Sequence, residues 1–530
     1  VFLLSLIEHA AMLALILAVA ASAGTLILGR ESPVALRSIL GLAAAGQLFA
    51  ILGAFGLLRP WAFVVFLAVA LAGARGVPWK WIGIGVAAAL PLILLAMYPP
   101  LAFDETLYHT PLVRAIAQLG AINFMPTIRF PVFPELHELL CVGPFLALGD
   151  SAPHLVSLAE VMLLVALLVA SESGGHAAAL LPAALFIGSP IVVYLATINY
   201  VDVALTLFVA AGFYCLARRR MTASGFLLGT ACCVKYLGGY FAVAGLAYIV
   251  FFGEDRRRDI VRYLAAFAVA LLPMYGRIVY LTGNPLYPFV PGKHLIAASG
   301  AWRVFWDITF ARNRLGYEPP YTPLFALSVL VVLIAAFRDR RAAFLAALVA
   351  GYVGLFMFMP RDSRYLLPLV PLVSVVAARH VPKRFALAVA IVAIVPAAAY
   401  AGYRLAKLGL PAVTAAQRRE FLERHVPEYR ALEHRGAGRI YVCGAEQLND
   451  YAAFDLLGDS IGEFPYDTIL GNGRMKENFQ RLGVRYFLVS HAQCWPGYKT
   501  LAKEPDFELV YTDDAATLWR LRDRSAMNSR

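Results

Sequence analysis

Charge is scarce in this chain. Only 15% of the 530 residues are Asp, Glu, Lys or Arg, whereas 60% are hydrophobic, and the mean hydropathy is +0.69. Soluble cores cannot bury that much apolar surface, so a water-soluble globular protein is excluded. Metal-ligand spacing is lacking as well. The six cysteines are scattered, and Cys232-Cys233 lies inside an apolar segment, where a packing role is expected. No repeat of fixed period and no low-complexity tract occurs. Nor is a removable leader expected: residues 1–28 contain Glu8 and His9, lack a basic n-region, are too long for an h-region, and read as a retained first span. Gly471 and Gly473 form a bare GxG with no strand before it, which reads as a turn.

What the chain does have is apolar blocks of about 15 to 25 residues, near the roughly 20 helical residues that span hydrocarbon. Candidate spans run over 9–28, 36–58, 61–74, 81–99, 152–170, 177–197, 200–217, 222–235, 238–252, 260–282, 322–337, 342–360, 364–379 and 385–403. The fold class read from this is mostly α, a polytopic transmembrane bundle of about 12–14 spans over 1–409, followed by a small α/β domain over 410–530.

The net charge of +12 does not gather on one soluble surface, so no nucleic-acid partner is expected. It punctuates the spans instead. Arg218 to Arg220, Arg256 to Arg258, Arg338 with Arg340 and Arg341, and Arg379 with Lys383 and Arg384 sit in short connections, which the positive-inside rule puts in the cytoplasm. Counting spans from those loops puts 100–130, 282–321 and everything after Tyr403 outside. The protein is therefore expected in the cytoplasmic (inner) membrane, with its C-terminal domain periplasmic or extracellular. The segment 138–148 has no parity for a crossing and is too short for one, so it reads as a re-entrant or interfacial helix.

Beyond residue 410 an amphipathic helix is expected at 414–434. Strands are expected at RIYVCG (439–444) and VRYFLVS (484–490), a helix at 473–482, and a closing hairpin from FELVYTD (507–513) and ATLWRLR (516–522). If the first two strands are parallel neighbours, Cys443 and Cys494 emerge on the same edge. A bridge between them would close a loop of about 50 residues and stabilise the domain by roughly 2–4 kcal/mol. The other reading is two unrelated thiols.

The chemistry is concentrated at span ends on the outer side. AFDETLYH (102–109) puts Asp104, Glu105 and His109 at the edge of hydrocarbon, where acids are costly unless solvated, paired or used. Partial desolvation would raise a carboxyl there and suit it to take a proton from a hydroxyl. The alternative is that Asp104 caps a helix, with Glu105 in its first turn. Asp202, in INYVDVALTLF, falls at the same depth, with an N-cap as its plainer reading. Lys235, in CCVKYLGGY, falls near the tip of a hairpin, where a snorkelling lysine is the alternative. Arg361 and Arg364, in MPRDSRYLLPLVP, occupy an external turn where positive residues are disfavoured, and a guanidinium fork there suits phosphate oxygens. An internal pair with Asp362 would explain them equally well.

Together these pieces resemble the GT-C glycosyltransferase superfamily, in particular the bacterial relatives of protein O-mannosyltransferases and the aminoarabinose transferase of lipid A. The resemblance covers nearly the whole chain. It rests on Asp104-Glu105, on FPVFPELHELL (130–140), Asp202, VKYLGG (234–239), TGNPLYPF (282–289) and SRYLLPLVP (363–371), and on the α/β tail. The chain departs from the family's usual pattern in having about four spans before the acidic loop, and in lacking the flanking Arg often seen there.

The resemblance implies a polyprenyl-phosphate sugar as donor, Asp104 as catalytic base with Glu105 beside it, and Arg364 on the donor phosphate. Lys235 and Arg129 are further phosphate candidates, and His109, Asp202, Tyr236 and Arg361 complete the candidate site. The expected reaction is inverting transfer of the sugar to a lipid, glycan or protein on the outer face. No cofactor is required, although a divalent cation could bridge Asp104, Glu105 and the phosphate. Two other functions remain open: a transporter or flippase of a lipid-linked sugar, and a non-catalytic anchor presenting the C-terminal domain.

Overall fold

The computed structural model describes all residues except 172–175, 289–302, 311–317, 361, 454, 463, 472–473, 495–505 and 523–530. Arg361, Phe289 and Gly473 therefore lie outside the described residues. The protein is a multi-pass helical bundle with a small C-terminal sheet, as the apolar blocks imply. Among the described residues, five single helices are long and apolar enough to cross a membrane: Phe2–Leu28, Val34–Ala54, Pro153–Ala170, Arg256–Thr282 and Lys383–Leu408. Eight further apolar helices among the described residues are shorter, at 10–17 residues.

Several runs read as single spans are broken, and proline explains where. The expected span 81–99 is Trp79–Ala88 followed by Leu90–Ala96, bent by 68°, with Pro91 at the start of the second piece. Proline has no N–H to donate to the preceding turn, and its ring displaces that turn. The expected span 177–197 is likewise split into His176–Ile187 and Pro190–Leu195. Helix Lys383–Leu408 crosses close to this break: a Cβ on Gly188 would lie 2.0 Å from the Ala393 carbonyl oxygen.

Close backbone approach also joins the first two helices. A Cβ on Gly24 would fall 1.7 Å from the Arg37 carbonyl, and one on Gly41 would fall 2.0 Å from the Ala20 carbonyl. Lipid tails give two apolar helices no hydrophobic reason to associate, so small residues that permit tight packing carry the contact. Helix Asp202–Ala217, buried on nearly every side, forms the centre of the bundle. Helices Arg256–Thr282 and Lys383–Leu408 lie outside it, leaving Val269, Leu272, Ile391 and Val392 exposed to the hydrocarbon. Helix Leu136–Leu148 is not interfacial at its start: Leu136 to Val142 are buried within the bundle.

After Leu408 the chain leaves the bundle. The expected long amphipathic helix is two helices, Ala415–His425 and Tyr429–Glu433, separated around Pro427, and the first begins with a Thr414/Gln417 capping box. The sheet contains β1 (Arg439–Cys443), β2 (Leu456–Gly458), β3 (Val484–Ser490), β4 (Phe507–Thr512) and β5 (Ala516–Leu521), in the order β2-β1-β3-β5-β4. β1 is parallel to both β2 and β3, and β5 is antiparallel to β3 and β4. Cys443 and Cys494 form a disulfide with Cα atoms 5.0 Å apart, as the shared strand edge allows.

The sheet domain seats on the bundle through polar contacts. Arg114 Nη2 meets Asp450 Oδ1 at 2.8 Å, and the Arg418 fork embraces Asp150. Tyr451 donates its hydroxyl to the Pro100 carbonyl.

Candidate active site

Asp104 follows the bent helix pair and precedes helix Thr110–Leu119, separated from it by one wide π-helical turn, Glu105–His109. Pro111 lies at the start of that helix and cannot donate to the carbonyl four residues back, that of Leu107. Asn449 of the C-terminal domain donates to this carbonyl instead, at 2.8 Å. A proline in one domain thus creates the vacancy that an asparagine in the other fills.

Asp104 faces an arginine. The Arg364 Nη2 donates to Asp104 Oδ2, Arg364 Nε lies 2.8 Å from Asp362 Oδ2 and 3.8 Å from Asp202 Oδ2, and the guanidinium rests 4.4 Å from the centre of the Tyr200 ring. The Nε contact to Asp362 has ion-pair distance without hydrogen-bond geometry. Asp362 also accepts the Arg364 backbone N–H, while Tyr321 and Tyr352 donate to the Ser363 and Tyr365 carbonyls. These bonds fix the turn that presents Arg364.

Two further cations complete the cluster. Lys235, at the tip between helices Met221–Val234 and Gly238–Phe252, bonds Asp202 Oδ1 at 2.8 Å and lies 4.1 Å from the centre of the Tyr365 ring. Arg129 Nη1 is 3.9 Å from Asp104 Oδ1 and is the most exposed member, its side chain 38% accessible. Asp104, Asp202, Lys235, Arg129 and Arg364 therefore converge.

The expectation of a raised Asp104 carboxyl is overturned. Burial pushes it up, but the Arg364 guanidinium, by charge and hydrogen bond, outweighs burial and holds it at about 2. Burial alone governs when no counter-charge touches the group, and here one does. Asp362, by contrast, is pushed by burial up to about 7 in spite of Arg364.

Three expected site residues are engaged elsewhere. Glu105 is fully buried: its carboxylate accepts from the Leu101, Ala102 and Asn199 N–H groups and lies 2.6 Å from His154 Nε2. It closes the start of the turn, the capping role anticipated for Asp104, whose side chain makes no cap bond. Burial raises the Glu105 carboxyl, but His154 and the two N–H groups of Asn199 and Ala102 bring it below its usual value. His109 is 2% exposed, with Nδ1 2.6 Å from Glu138 Oε1. Tyr236 donates to the Tyr287 carbonyl at 2.6 Å and ties the Lys235 tip to the loop after Thr282. Among the described residues no group of three or more His, Cys, Asp or Glu is arranged to hold a metal, and Glu105 is committed to His154.

Sequence reasoning missed the layer behind the site. His137 pairs with Glu160 at 3.0 Å and with Asn199 at 3.1 Å, so Asn199 links it to Glu105. The signal was present in FPELHELL: ionisable residues within an apolar helix demand partners.

Comparison with known proteins bears on this arrangement. Residues 152–280 match the sequence family described as dolichyl-phosphate-mannose-protein mannosyltransferase, and residues 417–520 match a family described only as SF2091/S2213. No curated protein sequence matches the chain. ArnT from Cupriavidus metallidurans in the apo state superposes with a TM-score of 0.59 at 16% identity, covering 83% of this chain and 97% of ArnT. The chain has the GT-C fold of ArnT. The same enzyme bound to undecaprenyl phosphate superposes with a TM-score of 0.57 at 16% identity, over 83% of this chain and 98% of that one. The likeness in fold thus covers most of the chain.

Proposed function

We propose that the protein is an integral membrane glycosyltransferase that moves a sugar from a polyprenyl-phosphate carrier to a hydroxyl acceptor, on a lipid, glycan or protein, at the outer membrane face. The observation that carries this reading is the shared guanidinium: Arg364 is held by Asp104, beside Lys235 and Arg129. A carboxylate surrounded by cations at a span end is what general-base catalysis against a phosphate leaving group requires. ArnT, of the same fold, is described with undecaprenyl phosphate bound, which supports a lipid-phosphate donor here.

In this mechanism the donor phosphate competes with Asp104 for Arg364. As the fork turns to the phosphate, Asp104 loses the counter-charge that depresses its carboxyl, so its proton affinity rises when the donor is in place. The acceptor hydroxyl gives its proton to Asp104, and its oxygen attacks the anomeric carbon from the face opposite the phosphate. The bond from that carbon to the phosphate oxygen breaks, and polyprenyl phosphate departs against Arg364, Lys235 and Arg129 with inverted configuration at the sugar.

The test is transfer from a labelled polyprenyl-phosphate sugar by the purified full chain in detergent, where transport has no meaning. Product formation that depends on Asp104 and Arg364 supports the reading. Unchanged turnover in Asp104→Asn overturns the mechanism, and carrier binding without transfer to any envelope acceptor favours a flippase.

A further inference from the structure

Between helices Pro190–Leu195 and Asp202–Ala217 the backbone is irregular, and this short break touches most of the site. Asn199 gives its backbone N–H to Glu105 Oε1 at 2.6 Å and its Nδ2 to Thr110 Oγ1 at 3.2 Å. At the other end of the break, Asp202 bonds Lys235 and faces Arg364 Nε. Tyr200 lies between them, 3% exposed, and the proposed reaction gives it no role.

Tyr200 meets both partners of the central ion pair. Its hydroxyl accepts the Asp104 backbone N–H at 3.1 Å, and the Arg364 guanidinium carbon lies 4.4 Å from the centre of its ring. The Asp104 side chain makes no cap bond, so with its backbone held from outside by a phenol its carboxylate is free to face Arg364. A ring face attracts a cation without a fixed acceptor direction. A guanidinium can therefore turn from one anion to another while it stays on the ring, whereas each hydrogen bond it makes to an anion is directional and must break. The ring is itself braced: His109 packs beside it with centroids 5.7 Å apart, and His109 Nδ1 is 2.6 Å from Glu138 Oε1.

We propose that Tyr200 is a positioning residue that couples the base to the leaving group. Its ring keeps Arg364 in the site while the fork passes from Asp104 to the donor phosphate, and its hydroxyl fixes the backbone from which Asp104 works. This role rests on the proposed sugar transfer. Phenylalanine would fill the same buried space but leave the Asp104 N–H without this acceptor, and leucine would remove the ring face as well.

The experiment separates ring from hydroxyl in the purified full chain in detergent. Affinity is read from the binding of undecaprenyl phosphate, and turnover from transfer out of a labelled polyprenyl-phosphate sugar. Tyr200→Phe is expected to keep carrier affinity within about 2-fold of wild type and to lower kcat roughly 10- to 100-fold, the cost of a slightly misplaced reacting group. Tyr200→Leu is expected to weaken carrier binding about 3- to 30-fold in addition, the range that a cation on an aromatic face contributes. In an Arg364→Gln background, Tyr200→Leu is expected to leave the remaining affinity unaltered.

A series that preserves shape guards against misfolding. Phenylalanines carrying one, two and three ring fluorines, incorporated at position 200, keep nearly the same outline but drain negative charge from the ring face, so log Kd for the carrier is expected to rise with each fluorine. Equal affinity across that series, an equal loss of affinity in Tyr200→Phe and Tyr200→Leu, an unchanged kcat in Tyr200→Phe, or an undiminished effect of Tyr200→Leu beside Arg364→Gln would each overturn the role of Tyr200 and leave the transferase reading standing. Carrier binding by wild type without transfer overturns that reading instead, and the fluorine series then still decides whether the ring holds Arg364.

Discussion

Asp104 and Glu105 are neighbours in sequence yet belong to two differently built regions. Asp104 opens onto the end of the bundle that the C-terminal domain covers and is held by Arg364, with Arg129 beside it. Glu105 turns inward to His154 and to backbone N–H groups, in a layer where His109 meets Glu138 and His137 meets Glu160. The first region pairs acids with permanent cations and keeps some access to solvent; the second pairs them with histidines and has none. A guanidinium can exchange one anion for another without changing protonation, so the outer region can trade a carboxylate for a phosphate. The inner pairs can only break, which suits them to hold the backbone that carries Asp104.

That contrast predicts opposite outcomes from two adjacent conservative substitutions. Asp104→Asn is expected to lower sugar transfer by about 10²–10⁴-fold, with thermal stability little changed because Asp362 and Asp202 still flank Arg364. Denaturation curves recorded beside the assay check this, and a large stability loss would merge the two regions. Glu105→Gln should do the reverse and cost about 3 kcal/mol, because His154 loses its buried counter-charge. Turnover per folded molecule should stay within a few-fold of wild type, and a selective loss of turnover would move Glu105 into the reacting site.

Arg364→Lys sharpens the outer half of the comparison. Lysine keeps the charge but not the fork, so donor use should fall about 10-fold or more, visible as a raised apparent KM or a reduced kcat/KM for the labelled carrier. An unchanged value would place the phosphate on Lys235 and Arg129 alone.

The smallest expected effect concerns a carboxylate that combines both characters. Asp450 pairs with Arg114 but is almost fully buried, and burial together with Asp150 pushes its carboxyl up to about 7. A raised acid binds more protons folded than unfolded between about pH 4 and 7, so stability falls as pH rises through that window. Asp450→Asn, which keeps an oxygen for Arg114, should flatten the dependence of Tm on pH between about 5 and 8. A wild-type Tm that rises with pH there would refute the assignment.

The outer cluster was legible in the sequence because each member interrupts an apolar run at a span end, a cost that demands an explanation. Span counting from the Arg-rich loops then put Asp104, Asp202, Lys235 and Arg364 on one side. The inner layer was hidden because its partners are distant in sequence, as with Glu105 and His154, 49 residues apart. The role of Glu105 was misread for a similar reason: adjacency suggests a catalytic pair, but one wide turn after Asp104 sends the next side chain to the opposite side. Strand β2 escaped because three residues carry no alternation to read. The broken spans escaped because composition counts a proline as one residue, whereas the backbone registers it as a missing donor.

The bond from Asn449 to the Leu107 carbonyl also has a temporal meaning. Its two ends are 342 residues apart, so at 5–20 residues per second the ribosome completes the second roughly 15–70 s after the first. Through that interval the acid loop is already synthesised, but the carbonyl that Pro111 leaves unserved has no donor from the unfinished tail. A nascent chain therefore acquires its finished reaction centre only once Asn449 and the domain around it have been synthesised.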